Sequence, residues 1–146
     1  AIHLRSEFAP AHGNLGRIYS QLGEEQQAAH HFRISLEQQP NQPTTAIALA
    51  WLLATGKSNA ETAAEAFRLA DQVNRMTGDQ NPQILDVLAA TQAAMGQYPE
   101  AARTAARSVQ LFSALGRDQE ASVVRQRQRV YESGRPYRRE ATATIE

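Results

Sequence analysis

Apolar residues recur along this chain with the spacing of amphipathic helices. Two successive segments carry them three or four positions apart: Leu15, Ile18, Tyr19 and Leu22 in the first, and Ala28, Ala29, Phe32 and Leu36 in the second. This spacing places them on one face of a helix. We expect helices over about residues 9–21 and 24–38, separated by Gly23 in a left-handed conformation, with both apolar faces turned inward.

The same stretch carries a longer signature at a fixed spacing. Its positions are Leu15, Gly16, Tyr19, Leu22, Gly23, Ala28, Phe32 and Pro40. This pattern resembles the tetratricopeptide repeat (TPR), a helix pair of about 34 residues, with His12 at the position of the family's tryptophan. We therefore interpret residues 9–42 as a first TPR, in which the small residues Gly16 and Ala28 mark the crossing of the two helices.

Two weaker copies of the pattern follow. Residues 43–81 form a longer second repeat with insertions in its turn and its closing loop, marked by Leu49, Ala50, Leu53, Ala63, Phe67 and Ala70. Residues 82–115 form a third, marked by Leu88, Ala89, Met95, Gly96, Tyr98, Ala101 and Ala105. Residues 1–8 fit the end of a preceding repeat, residues 116–134 a capping helix, and residues 135–146 a C-terminal tail that we expect to be mobile beyond residue 140.

These assignments predict an all-α fold. The resemblance implies a right-handed TPR superhelix, an alpha-alpha solenoid of three helix pairs with a C-terminal capping helix. In that cap we expect Val123 and Val130 to point inward. The segment Leu49–Thr55 and the Tyr131, Gly134, Pro136, Arg138 pattern are similar to the closing part of large multidomain bacterial TPR proteins. We therefore expect a segment of a longer protein.

The resemblance also implies where a partner would bind. TPR stacks hold a peptide on a concave surface lined by the first helix of each repeat. The corresponding positions are Asn14, Arg17, Gln21, Thr44, Ile47, Trp51, Gln83, Asp86 and Ala90. Trp51 is the candidate aromatic anchor, because tryptophan is enriched where binding energy concentrates. The alternative is that Trp51 packs between repeats.

Composition and charge narrow the classes of partner. Fifteen basic residues balance fifteen acidic ones in 146 residues, which argues against a chain that coats nucleic acid. A C-terminal cluster of Arg125, Arg129, Arg135, Arg138 and Arg139 with two tyrosines is interpreted as a solvated face of the cap. The longest apolar run is far shorter than the roughly 20 residues of a membrane span. We expect a protein or peptide partner, and no membrane insertion.

Catalytic and metal-binding patterns are missing from the sequence. The chain has no cysteine, and no nucleophile motif, phosphate loop or metal-ligand spacing occurs in it. His30 and His31 are adjacent on a helix and point about 100° apart, so they are poorly placed to share an ion. We expect no enzyme activity, no cofactor and no metal. The lack of cysteine and of a signal peptide fits a cytoplasmic or a periplasmic protein equally.

Two functions remain open on this evidence. The first is a non-catalytic interaction and scaffold module that binds a partner segment in its concave groove. The second is a structural or assembly arm at the C-terminus of a larger enzyme or multihaem cytochrome. Such an arm would pack on its own upstream domain or on a neighbouring copy.

Overall fold

The chain folds into helices connected by short turns. The structure, a computed structural model, describes the backbone of residues 2–139 and the side chains of residues 10–139. Within that range it contains seven helices and no strand: α1 (Ile2–Gln21), α2 (Glu25–Gln38), α3 (Pro43–Thr55), α4 (Ala60–Met76), α5 (Pro82–Ala94), α6 (Tyr98–Ala114) and α7 (Asp118–Glu132). The expected all-α class is confirmed.

Each helix packs on the next one along the chain, and α3 also packs on α5. Three of the turns share one geometry, in which Gly23, Gly96 and Gly116 have φ between 74° and 80°. In each turn the glycine and the following residue donate their N–H groups back to the last turn of the helix. This motif satisfies carbonyls that a helix end leaves unpaired and reverses the chain. The left-handed conformation expected at Gly23 is confirmed.

The close crossing predicted for the first two helices is present between α1 and α2. A Cβ atom added at Gly16 would lie 2.6 Å from the ring of Phe32, well inside van der Waals contact. Phe32 and Ala28 are themselves buried. Glycine at position 16 therefore allows the Phe32 ring to pack directly against the backbone of α1.

The first helix differs from its sequence-based expectation in two respects. It runs without interruption from Ile2 through Pro10, so no helix ends between residues 8 and 9. A proline removes one backbone donor, but this segment has no glycine to support a full break. Leu15, Ile18 and Leu22 are 38%, 51% and 67% exposed, so the apolar face expected to be buried is open to solvent.

Among the residues whose side chains are described, the buried apolar ones form three clusters between α2 and α7. The largest includes Phe32, Leu49 and Leu85, and the C-terminal one includes Phe112 and Tyr131. On α7, Ala121, Val124 and Tyr131 are buried, whereas Val123 is exposed, contrary to expectation. Val123 directly precedes the buried Val124, and residues one apart on a helix point in different directions. The inward face of α7 is therefore narrower than its valines suggest.

Candidate functional site

Two of the predicted binding residues lie at a common site with two residues that the sequence analysis did not select. Trp51 of α3 and Asp86 of α5 both approach Arg127 of α7. The ring of Tyr137, which follows α7, lies 5.8 Å from the Trp51 ring between centroids. We call these four residues, Trp51, Asp86, Arg127 and Tyr137, the Trp51 site.

Arg127 is the central group of the Trp51 site. Its Nε and one terminal nitrogen donate to the two oxygens of Asp86 at 3.0 and 2.6 Å. The guanidinium carbon also lies 5.1 Å from the Trp51 ring centroid and 5.3 Å from that of Tyr137. A guanidinium can pair with a carboxylate in its plane and contact aromatic rings on its faces. This single side chain therefore connects three helices and the segment after α7.

Burial makes this ion pair unlike those on the surface. The side chains of Arg127 and Asp86 are 14% and 13% exposed. Burial alone lowers the pKa of Arg127, but the hydrogen bond and the charge of Asp86 outweigh it and raise the pKa above its usual value. Burial also raises the pKa of the nearby Tyr131 hydroxyl. Arg127 thus stays charged, and Tyr131 stays neutral.

The chain after α7 turns back and crosses the Trp51 site. Gly134 has φ 78°, and the N–H groups of Gly134 and Arg135 donate to the carbonyls of Tyr131 and Val130. The residues that follow are not helical. We call residues 133–139 the C-terminal segment. It carries Tyr137 onto Trp51 and then continues to the end of α3.

Two arginines of the C-terminal segment bind the carboxyl end of α3. Arg138 donates to the carbonyl of Ala54 at 2.9 Å. The backbone N–H of Arg139 donates to the carbonyl of Thr55 at 3.0 Å, and its Nε donates to the Thr55 hydroxyl at 2.6 Å. A helix end leaves carbonyls without partners and carries partial negative charge, which cations favour. The segment therefore acts as a cap for α3.

The local sequence at the end of α3 satisfies only part of its carbonyls: the Thr55 hydroxyl donates to Trp51 and the Gly56 N–H donates to Leu52. The last turn of α3 has no basic residue, and the following Gly56 has φ −93° and makes no left-handed turn. The Arg139 guanidinium instead extends over Gly56 to the carboxylate of Glu25, at 2.8 Å. A Cβ at position 56 would lie 2.5 Å from Glu25 Oε2 and 2.9 Å from the guanidinium. Glycine at this position leaves space for the bridge.

The other predicted binding residues are not part of the Trp51 site. Asn14, Arg17, Gln21, Thr44 and Gln83 are exposed, and Ile47 is half-buried. Arg17 donates to the side chain of Asn14 on its own helix at 2.9 Å. Ala90 is only 2% exposed because α5 packs between other helices, so it offers no surface to a partner, contrary to expectation.

A cavity of about 290 Å³ adjoins the Trp51 site. The polar and charged side chains of Gln83, Asp86, Glu120 and Arg127 line it together with Trp51 and apolar residues of α5, α6 and α7. Its walls are mostly apolar with a few polar groups, as is common for pockets that accept a side chain. Three of the nine predicted binding residues therefore share one cavity.

The C-terminal arginine cluster is not the uniformly solvated face that we expected. Arg138 and Arg139 bind α3, Tyr131 is fully buried, and Tyr137 packs on Trp51. The side chain of Arg135 is exposed and donates to Ser133 in its own turn. Residues 135–139 thus belong to the folded structure, while the part of the expected tail beyond residue 139 lies outside the described residues. The Tyr137-Arg138-Arg139 triplet was the available sequence signal for this contact.

The histidines form a separate cluster between α1 and α2. The Nδ1 atoms of His12 and His31 are 2.9 Å apart, at hydrogen-bond distance. The His31 ring stacks on those of His12 and Tyr19. Burial lowers the pKa of His31 below its usual value of 6.5, and the charges of His12 and His30 lower it further. The cluster therefore favours a neutral His31.

This cluster predicts a loss of stability in mild acid. An unfolded chain takes up a proton at His31 near pH 6.5, whereas the folded chain does so only at lower pH, so unfolding is favoured as the pH falls below about 6.5. We expect the wild type to lose more thermal stability between about pH 8 and about pH 5 than His31→Gln does. Circular dichroism melts of both proteins across this range measure the difference. Parallel curves would contradict the prediction.

The described residues contain no group of three or more His, Cys, Asp or Glu arranged to hold a metal ion. Among them, no helix combines the length and apolar character needed to cross a membrane.

No protein-family model, curated protein or solved structure matches this chain. The resemblance to TPR proteins therefore rests on the repeated sequence pattern alone.

Proposed function

We propose that this chain is a non-catalytic, TPR-like interaction and scaffold module that binds an extended segment of a partner protein on the face formed by α3, α5 and α7. The observation that supports the proposal most directly is the C-terminal segment itself. A non-helical stretch of chain already lies on this face, with an aromatic ring on Trp51 and arginines at the end of α3. The face thus offers hydrogen-bond acceptors that an extended peptide can use.

The exposed residues on the predicted surface extend this proposal. Gln83 of α5 is open to solvent and can donate hydrogen bonds to a peptide backbone. Arg17 is also exposed, but it lies on α1, outside this face. The cavity beside Trp51 can accept an apolar side chain of the partner. Trp51 would then supply much of the binding energy, as buried aromatic anchors do at protein interfaces.

Selection of random linear peptides on the full chain tests this function. We expect enriched peptides whose affinity falls about 30-fold or more in Trp51→Ala, the size of a typical interface hot spot, and falls less in Arg17→Ala. Met76→Ala is the matched control, because Met76 is a large exposed side chain at the end of α4. Peptides that bind Trp51→Ala and wild type equally, with both proteins equally folded, would refute the proposal.

A second function is favoured by a different observation. Leu15, Ile18 and Leu22 expose an apolar face on α1, which suits an accessory or assembly arm that packs on an upstream domain or a neighbouring copy. Sedimentation of wild type and of the Ile18→Ser, Leu22→Ser double variant tests this alternative. Self-association that the double variant abolishes would favour it, and two monomers at all concentrations would argue against packing on a neighbouring copy.

A further inference from the structure

We infer that the C-terminal segment is a built-in competitor of the partner, and that the partner's binding segment carries an aromatic residue followed by two arginines. This inference rests on the proposed function, since it names the class of partner for the same face. Its basis is the way residues 133–139 occupy the Trp51 site and the end of α3.

The contacts of the C-terminal segment indicate which ligand chemistry the face selects. Each contact of the segment uses a distinct chemical feature: an aromatic ring on Trp51, a guanidinium on the Ala54 carbonyl, and a second guanidinium shared by Thr55 and Glu25. The acceptors are carbonyls, a hydroxyl and a carboxylate, so they favour a cationic ligand. An acidic segment would place carboxylates against these acceptors and would be rejected.

The C-terminal segment behaves as a ligand that is tethered beside the face it binds. Its contacts to α3 and α2 join residues far apart in the sequence: Arg139 is 84 positions from Thr55 of α3 and 114 positions from Glu25 of α2. Within the described residues, the short turn after α7 connects it to the helices beside the face. A tethered ligand acts at an effective concentration in the millimolar range. A partner must therefore displace it. The apparent affinity for the partner equals the intrinsic affinity multiplied by the fraction of chains in which the segment has left the face; chains in which it lies on the face are closed.

A peptide titration tests this competition. The probe is a synthetic peptide of residues 133–139, capped at both ends, and the readout is the fluorescence of Trp51, the only tryptophan in the chain. The full chain is compared with a Tyr137→Ala, Arg139→Ala double variant, whose own segment no longer holds the face. Arg135→Ala is the matched control, because it removes one arginine of the segment that faces solvent.

We expect the double variant to bind the peptide at least about tenfold more tightly than wild type, which corresponds to a wild type that is closed about 90% of the time. Arg135→Ala should bind it like wild type. A second peptide with alanine at the positions of Tyr137 and Arg139 should bind no variant. Equal affinity of wild type and double variant, or no binding to the double variant, would overturn the inference.

Further measurements cover a loss of folding in the double variant, test displacement of the segment directly and detect a second copy as the occupant. If the double variant loses helicity, the single variant Arg139→Gln replaces it, with the same expected direction. In wild type, excess peptide should accelerate hydrogen exchange at the Arg139 amide, which donates to Thr55; unchanged exchange at saturating peptide would count against displacement. A concentration-dependent wild-type dimer that Arg139→Gln abolishes would identify a second copy as the occupant instead.

Failure of this inference is distinguishable from failure of the proposed function. Selected peptides that require Trp51, but lack an aromatic–arginine pattern and bind the double variant no better than wild type, would leave the function standing and refute the competition. Selected peptides that are indifferent to Trp51 would refute the function itself.

Discussion

Phe32→Ala is expected to destabilise the protein by about 3–5 kcal/mol, the cost of removing a large ring from a packed core. Phe32 is 1% exposed and lies against the backbone of α1 at Gly16. Its loss leaves a cavity that the two helices cannot close without moving. Chemical denaturation followed by circular dichroism measures the change. Leu22→Ala is the control and should change stability by less than about 0.5 kcal/mol, since Leu22 is exposed.

Substitutions at two neighbouring glycines show whether the loss of stability comes from the contact between Phe32 and the backbone of α1. Gly16→Ala places a methyl group against the Phe32 ring and should destabilise by about 1–3 kcal/mol. Gly13→Ala meets only ordinary contacts at 3.6 Å and should be neutral or stabilising, because alanine favours helix. In the Phe32→Ala background the penalty at Gly16 should disappear. A penalty that persists there would contradict the described crossing.

Asp86→Ala is expected to cost about 3 kcal/mol, because it leaves the guanidinium of Arg127 buried without its partner. The pair is bidentate and nearly enclosed. Replacing Asp86 and Arg127 together by leucine should cost less than the single change, since no unpaired charge remains. Urea denaturation of the three proteins measures both effects, and Trp51 fluorescence reports the site directly.

A second bidentate pair provides the control for this prediction. Arg33 donates to both oxygens of Glu65 at 3.0 and 2.8 Å, but these side chains are 42% and 24% exposed. Water screens such a pair, so Glu65→Ala should cost less than about 1 kcal/mol. Equal losses for Asp86→Ala and Glu65→Ala would show that burial does not determine the strength of the Trp51 site.

The repeated local pattern predicted the helical class and the left-handed turn at Gly23, but it placed the start of the first helix at about residue 9, whereas α1 begins at Ile2. Gly23 and the small Gly16 could be interpreted directly, because a left-handed turn and a close helix crossing each demand a particular residue type. Side-chain spacing also placed Phe32 and Ala28 correctly in the core. Spacing identifies a helix face but does not show whether a neighbour covers it, which is why Leu15, Ile18 and Leu22 were expected to be buried.

Only part of the candidate site could be predicted from the sequence. Trp51 and Asp86 could be selected from their repeat positions, but their partners Arg127 and Tyr137 lie far along the chain, and Asp86 and Arg127 are 41 positions apart. The helical spacing of apolar residues carries no information about contacts between residues this far apart. The C-terminal segment has no apolar period either, so its fixed position on α3 could not be predicted from spacing.

The sequence by itself thus determined the helical class, the turns that glycine requires and the crossing of α1 with α2, because these depend on neighbours within a helix or across one turn. Tertiary structure alone decided that Arg127 is held by Asp86 beside the rings of Trp51 and Tyr137, and that Arg138 and Arg139 cap α3. The physical reason is that a charged side chain takes its role from whichever acceptors the fold brings within hydrogen-bond distance.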